Sequence, residues 1–337
     1  MPDITFAGSD VSFPCAPNDT LLRAALRAGL ALPYECNVGC CGTCKVELVS
    51  GEVEAVWPHA PGLTEKDRSR NRVLACQSRP RTDCSIKARQ RDEYRPVHRP
   101  QRFTAVLYDA LDVTHDIREF RFRSSSPANF LPGQYALLRI PGGAGLRAYS
   151  MCNVANEAGE WHFQIKRVPT GAVSTALFSM VPMRGSVDID GPYGMAYLRP
   201  DAPRDIVCIA GGSGLSPIVS IARAYASEPR LAARKLNLFY GGRGPADICG
   251  ESILRELVGW GERIAYHPVI SMPELDVAGI WSGKTGLVHE AVETMLGPSL
   301  AQHEIYFAGP PVMAQAVQMM LHRHKVPPAQ IHFDQFF

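Results

Sequence analysis

The chain has 337 residues, a formal net charge of +2 at pH 7 and 46% hydrophobic residues. At roughly 100–200 residues per domain this length allows two or three domains, and the near-neutral charge excludes a bulk nucleic-acid or anionic-membrane binder. Residues 1–10 lack the basic start and apolar run of a secretory signal, and no apolar stretch nears the roughly 20 residues a membrane helix needs, so a cytoplasmic protein is expected.

Residues ITFAG and VSFPC read as short strands. The segment from Asn18 to Gly29 carries a capping residue, apolar positions at Leu22, Ala25 and Leu26, and a terminal glycine, so it reads as a helix. Two strands and a helix in this order begin a β-grasp. Five of the ten cysteines, Cys36, Cys40, Cys41, Cys44 and Cys76, crowd the first part of the chain, while Cys15, Cys84, Cys152, Cys208 and Cys249 are scattered. A disulfide framework is not expected in such a protein, and the clustering points to a metal site. Cys36, Cys41 and Cys44 form C-x4-C-x2-C, with Cys76 further on, which is the plant-type [2Fe–2S] spacing. Gly39 and Gly42 let the loop curl with positive φ, so that backbone N–H groups can approach cluster sulfurs. Cys40 is a spare in this frame. A zinc site is the alternative, but zinc ribbons pair two short C-x2–4-C units, and here Cys76 arrives alone.

From Lys87 to Arg102 the chain is nearly all polar, which reads as a linker. Residues 103–200 then alternate apolar and polar in short runs (FTAVLYD, IREFRFR, YALLRI, WHFQIKRV, VDID), the pattern of an antiparallel β-barrel. From about residue 204 the pattern changes. The apolar run DIVCIA meets Gly211-Gly212-Ser213-Gly214-Leu215-Ser216-Pro217, a helical segment IVSIARAYA, and a second apolar run LNLFYG. Strand alternating with helix indicates a parallel α/β sheet, and a glycine-rich strand-to-helix turn admits a pyrophosphate close to the backbone. The expected division is 1–90, a linker at 91–102, then 103–200 and 201–337.

These motifs carry a resemblance over the whole chain. Residues 1–90 look like the ferredoxin domain of bacterial oxygenase reductases, which implies Cys36, Cys41, Cys44 and Cys76 as cluster ligands. Pro132-Gly133-Gln134-Tyr135, Arg147-Ala148-Tyr149-Ser150, the segment from Ile165 to Ser174 and Gly191-Pro192-Tyr193-Gly194, in that order, resemble the flavin domain of the ferredoxin–NADP reductase superfamily. The resemblance implies FAD. Arg147 can clamp its pyrophosphate bidentately, Tyr149 can stack on the isoalloxazine, and Ser150 can hydrogen-bond near N5, so Tyr149 and Ser150 are the catalytic candidates. Gln164, Ile165, Lys166, Gly171, Val173 and Ser174 complete the expected flavin contacts, the last three at the start of a helix that would favour a phosphate.

The turn holding Gly212, Ser213, Gly214 and Pro217 is similar to the superfamily's nicotinamide turn. Gly241 and Arg243 follow where the adenosine ribose would lie. Because the residues after Arg243 are acidic, NADH is expected over NADPH. Gly309 and Pro310 belong to a C-G-P-P-x-M-like motif in which Ala308 replaces the cysteine. The ending IHFDQFF reads as a final strand through Ile331 and Phe333, with Phe336 or Phe337 covering the flavin face.

The Asn18–Ala28 helix segment, Trp57 to Leu63 and the ending most resemble reductases of toluene 4-monooxygenase-type systems, and Thr114-His115-Asp116-Ile117-Arg118 is shared with naphthalene dioxygenase-type reductases. The resemblance implies a monomeric iron–sulfur flavoprotein passing electrons from NADH through FAD and the [2Fe–2S] cluster to a Rieske-type ferredoxin or an oxygenase component, in aromatic-ring monooxygenation or dioxygenation. The rival readings are a general NADH diaphorase or redox sensor, and a metal-binding module fused to a barrel.

Overall fold

The computed structural model describes residues 1–140, 145–169, 171–180 and 185–336. Its chain falls into two compact units, Met1–Arg102 with Asp190–Met195, and Phe103–Ile189 with Ala196–Phe337.

In the first unit, β1 (Asp3–Phe6) and β2 (Ser12–Pro14) lead into α1 (Leu21–Arg27). Thr20 caps this helix by accepting from the Arg23 N–H, and Gly29 stops it at φ 79°. Leu21, Leu22, Ala24, Ala25 and Leu26 are all buried, at about 1.5–3 kcal/mol for each large apolar side chain. Strands β3 (Lys45–Ser50), β4 (Val53–Ala55), β5 (Arg72–Leu74), β6 (Ser78–Pro80) and β7 (Cys84–Lys87) follow, with the short helix α2 (Glu65–Arg68) between β4 and β5. The main sheet has the order β2-β1-β7-β3-β5, and β4 pairs with β6. β1 runs parallel to β7 while its other neighbour is antiparallel, the mixed sheet of a β-grasp. The polar stretch before residue 102 is tied down by its arginines: Arg95 donates to the Gly29 carbonyl at 2.9 Å and Arg102 pairs with Asp19 at 2.9 Å.

In the second unit, β8 (Gln101–Asp112), β9 (Ile117–Arg123), β10 (Tyr135–Arg139), β11 (Leu146–Ser150), β12 (Glu160–Lys166) and β13 (Ser186–Tyr193) form a sheet of order β11-β10-β13-β8-β9-β12. A bridge between Met151 and Phe163 joins its two ends and closes the barrel. Side chains alternate across the strands. Phe120, Phe122, Phe163 and Ile165 point into the barrel core, so Glu119 and Gln164, cross-strand partners, face outward. α3 (Ala172–Met180) adds Val173, Ala176 and Leu177 to that core.

The remaining elements are β14 (Asp205–Gly211), α4 (Leu215–Ser227), β15 (Leu236–Gly242), α5 (Glu251–Arg255), β16 (Ile264–Ile270), β17 (Lys284–Thr285), α6 (Val288–Leu296), β18 (His303–Gly309), α7 (Pro311–Arg323) and β19 (Ile331–Gln335). The strands form a parallel sheet of order β17-β16-β15-β14-β18-β19. The run DIVCIA is apolar almost throughout because both faces are covered. Ile206, Cys208 and Ala210 join one core with α4, while Val207 and Ile209 join the other with α6 and α7. The connection reverses between β14 and β18, and a ligand crevice is expected beyond the carboxyl ends of strands at such a point. Phe333 on β19 stacks on Phe307 with centroids 5.0 Å apart.

Candidate cofactor sites

Two places gather the chemistry-bearing residues. In the first unit, the loop from Cys36 to Cys44 turns through positive φ at Asn37 (52°), Gly39 (95°) and Gly42 (77°). The thiol of Cys44 lies 3.2 Å from the Cys76 sulfur. Cys36 and Cys41 form a second pair, in which the Cys41 N–H points at the Cys36 sulfur at 3.4 Å. The interaction between the two thiols draws Cys36 down to about 7 and pushes Cys41 up. In the other pair, the hydrogen bond and burial hold the proton on Cys44.

Among the described residues, no three of these sulfurs lie within 4.8 Å of one another. Four thiolates on one tetrahedral ion at about 2.3 Å would all lie about 3.8 Å apart. Two separate pairs instead suit two metal ions with one pair on each, which is what a [2Fe–2S] core requires. Cys40 takes part in neither pair.

In the second unit, a cavity of about 770 Å³ opens at the carboxyl ends of β14 and β15. It brings together Arg147, Tyr149, Ser150, Gln164, Lys166, Gly171, Val173, Ser174, Gly212, Ser213, Gly241, Arg243, Pro310 and Phe336. Ile165, expected among them, does not reach it: the period-2 alternation of β12 turns its side chain into the barrel core. Gly214, Pro217 and Gly309 lie behind the lining. Gly214 is a packing position, since a Cβ there would stand 2.1 Å from the Ala308 carbonyl oxygen. Phe337 lies outside the described residues.

Several lining groups were not among the expected site residues. Ser216 donates to the Ser150 carbonyl at 2.7 Å and accepts from the Gln164 N–H at 3.2 Å, so the first turn of α4 is fastened to two barrel strands. Ser220 and Arg223 repeat this one and two turns on, donating to the carbonyls of Asn153 and Cys152. Asp116 pairs with Lys166 at 2.9 Å. Asp247 accepts from the Arg243 backbone N–H at 3.0 Å and from its guanidinium at 3.2 Å; against the opposing effect of burial, these bonds hold the carboxyl below the usual range.

The fit to a flavin has a specific sign. Gln164 is buried, and its Nε2 donates to Glu119 at 3.2 Å. Glu119 also accepts from Arg121 at 2.8 Å, which keeps it ionised despite burial. An ionised carboxylate can only accept, so the amide orientation is set and Gln164 Oε1 is left without a protein donor. Gln164 lines the cavity, which therefore offers a buried acceptor to a ligand N–H. Burial pushes the Tyr149 hydroxyl up to about 12, so its ring remains neutral.

Residues 4–81 match the 2Fe-2S iron-sulfur cluster binding domain, 104–197 the oxidoreductase FAD-binding domain and 208–319 the oxidoreductase NAD-binding domain. The ferredoxin–NAD(P)(+) reductase CarAd of Metapseudomonas resinovorans is 40% identical over 96% of both chains. The chain belongs to the ferredoxin–NAD(P)+ reductases. The ferredoxin–NAD(+) reductase component of the alkene monooxygenase system of Xanthobacter autotrophicus is 36% identical, covering 96% of this chain and 98% of its own. The solved ferredoxin reductase in carbazole 1,9a-dioxygenase superposes with a TM-score of 0.91 at 37% identity, over 100% of this chain and 98% of that one. This reductase is thus an oxidoreductase with a [2Fe–2S], an FAD and an NAD domain, as its motifs implied. No helix among the described residues is long and apolar enough to cross a membrane.

Proposed function

We propose that this reductase serves a multicomponent oxygenase acting on aromatic rings, drawing electrons from NADH and delivering them to a Rieske-type ferredoxin or directly to an oxygenase component. It would act as a cytoplasmic monomer, with domains at 1–90, 103–200 and 201–337 around a linker at 91–102. The observation that carries the reading is the single cavity joining Tyr149 and Ser150 to the Gly212–Ser213 turn. Names of relatives that serve both monooxygenase and dioxygenase systems support the partner class.

When bound, the flavin and cluster supply the conversion of a hydride's electron pair into single-electron transfers. The protein's own residues supply position and charge. Arg147 clamps the FAD pyrophosphate, Tyr149 offers its neutral ring to the isoalloxazine, and Ser150 presents a hydroxyl beside N5. Gln164 Oε1 accepts from a ligand N–H. Val173 and Ser174 present backbone N–H groups to phosphate at the start of α3, while the Gly171 N–H is taken by the Val168 carbonyl at 2.8 Å and Gly171 serves as lining. Gly212, Ser213, Gly241 and Pro310 line the nicotinamide nucleotide, and Phe336 closes that wall. Arg243 is already engaged by Asp247, and Lys166 by Asp116, so neither cation is free for a 2′-phosphate. That supports NADH. Cys36 with Cys41, and Cys44 with Cys76, would hold the cluster as two ligand pairs.

Anaerobic titration with NADH, and separately with NADPH, followed by visible absorption and EPR, tests the reading. The expected result is bleaching of a flavin band at lower NADH than NADPH, with a rhombic reduced-cluster signal. Flavin reduction without that signal would favour a diaphorase.

A further inference from the structure

Asn37 and Arg23 form a buried hydrogen-bonded pair next to Cys36, in which Asn37 Nδ2 has no partner and Arg23 has no ion pair. Asn37 is 1% exposed and holds a left-handed backbone, φ 52°. Its Oδ1 accepts from Arg23 Nε at 3.4 Å. Because a guanidinium only donates, the amide orientation is fixed and Nδ2 must point elsewhere. There it has no acceptor. An orphaned buried amide costs about 1–3 kcal/mol unless a ligand completes it.

Arg23 is 6% exposed, on the inward face of α1. Among the described residues no carboxylate lies within 4.0 Å of it, whereas Arg27, one turn on, pairs with both Asp19 and Asp190. The Asp190 carboxylate feels the Arg23 charge but is directly paired with Arg27 and Arg102, and a buried cation without an ion pair of its own is expensive. Helix α1 packs against the turn Ala75–Gln77, which carries Cys76. One buried donor without an acceptor and one buried positive charge without an ion pair of its own, joined to each other and next to Cys36, have a common answer in an anion bound between the thiols.

We propose that Asn37 and Arg23 are positioning residues for the [2Fe–2S] cluster: Asn37 Nδ2 donates to a cluster sulfur, and Arg23 holds Asn37 in place and compensates the cluster's negative charge. This rests on Cys36, Cys41, Cys44 and Cys76 being the ligands. Both contributions strengthen as the cluster gains an electron, so together they raise its reduction potential. The left-handed backbone explains why asparagine stands here, since it tolerates αL while carrying an amide.

The test uses the full-length holoprotein. Midpoint potentials of cluster and flavin are measured together by EPR-monitored redox titration for the wild type, Asn37→Gly, Arg23→Gln and Arg23→Lys. Glycine keeps the positive φ and removes only the donor. The expected result is a lower cluster midpoint in Asn37→Gly and Arg23→Gln, by at least a tenfold change in the one-electron equilibrium, about 59 mV. Arg23→Lys should recover most of the Arg23→Gln shift, and the flavin midpoint should stay in place. Unshifted midpoints at full iron content overturn the proposal.

Should a variant fail to assemble its cluster, the wild type decides. With asparagine selectively labelled with ¹⁵N, pulsed EPR of the reduced cluster should show a side-chain nitrogen coupling, and its absence overturns the proposal. A wild type without any reduced-cluster signal would refute the ligand assignment itself, a separate failure.

Discussion

The cluster loop and the nucleotide cavity solve opposite problems. The loop gathers its thiols almost locally: three lie between Cys36 and Cys44, and the fourth arrives on the turn after β5. Its geometry is set by backbone, through positive φ at Asn37, Gly39 and Gly42. The cavity draws its lining from segments between Asp116 and Phe336, and side-chain bonds such as Ser216 to Ser150 hold it open. A local metal loop should therefore fail abruptly when one ligand is lost. A distributed cavity should degrade by steps as individual fastenings are removed.

The largest expected effect is at the loop. Cys44→Ser should abolish bound cluster iron while leaving the flavin spectrum and NADH-driven flavin bleaching intact; iron and sulfide assays with absorption spectra check this, and retained iron would break the contrast. Next is Gly214→Ala, whose Cβ would meet the Ala308 backbone at 2.1 Å. The main chain must shift at a cost of roughly 1–3 kcal/mol or more, so NADH affinity should fall steeply with iron content unchanged. Stopped-flow reduction against NADH concentration reads it.

Ser216→Ala leaves the buried Gln164 N–H without its acceptor and the Ser150 carbonyl without its donor. About 1–3 kcal/mol should be lost, seen in denaturant unfolding, together with slower flavin reduction. Asp247→Asn weakens the hold on Arg243 and should move the NADPH/NADH ratio of kcat/KM toward NADPH, roughly tenfold, the scale of one charge-assisted hydrogen bond. An unchanged ratio would mean that Arg243 does not face the 2′ position.

The smallest effect is in pH. Burial draws the His162 imidazole down to about 4. The unfolded chain protonates it near its ordinary value of about 6.5, so between those values the unfolded state binds more protons. Its contribution is full above about pH 6.5 and is lost as pH falls toward 4. Urea midpoints should decline across that window, and the decline should be shallower in His162→Gln.

Much of this was legible in the residues. The tight loop from Cys36 to Cys44, the glycine turn and the final strand need only neighbours a few residues away, and the structure forms each of them; that Cys76 comes to the Cys44 sulfur is a matter of the fold. The antiparallel barrel and the parallel sheet followed from apolar periodicity for the same reason. Ile165 shows where that reasoning stops. Its neighbours Gln164 and Lys166 line the cavity, but strand alternation sends Ile165 into the core. A motif names a stretch of chain, and only the pleat says which side chains face the ligand.

What the sequence determined by itself was therefore local: which cysteines share a loop, where glycine permits a turn, and which runs alternate. Tertiary structure alone decided that the thiols fall into two pairs rather than one tetrahedron, that Asn37 and Gln164 each keep a polar atom unpaired, and that Asp247 engages Arg243. The physical reason is that pairing and burial are properties of groups brought together across the fold. A serine such as Ser216 reads as part of a turn until β11 and β12 pack against it and its hydroxyl has two partners to join.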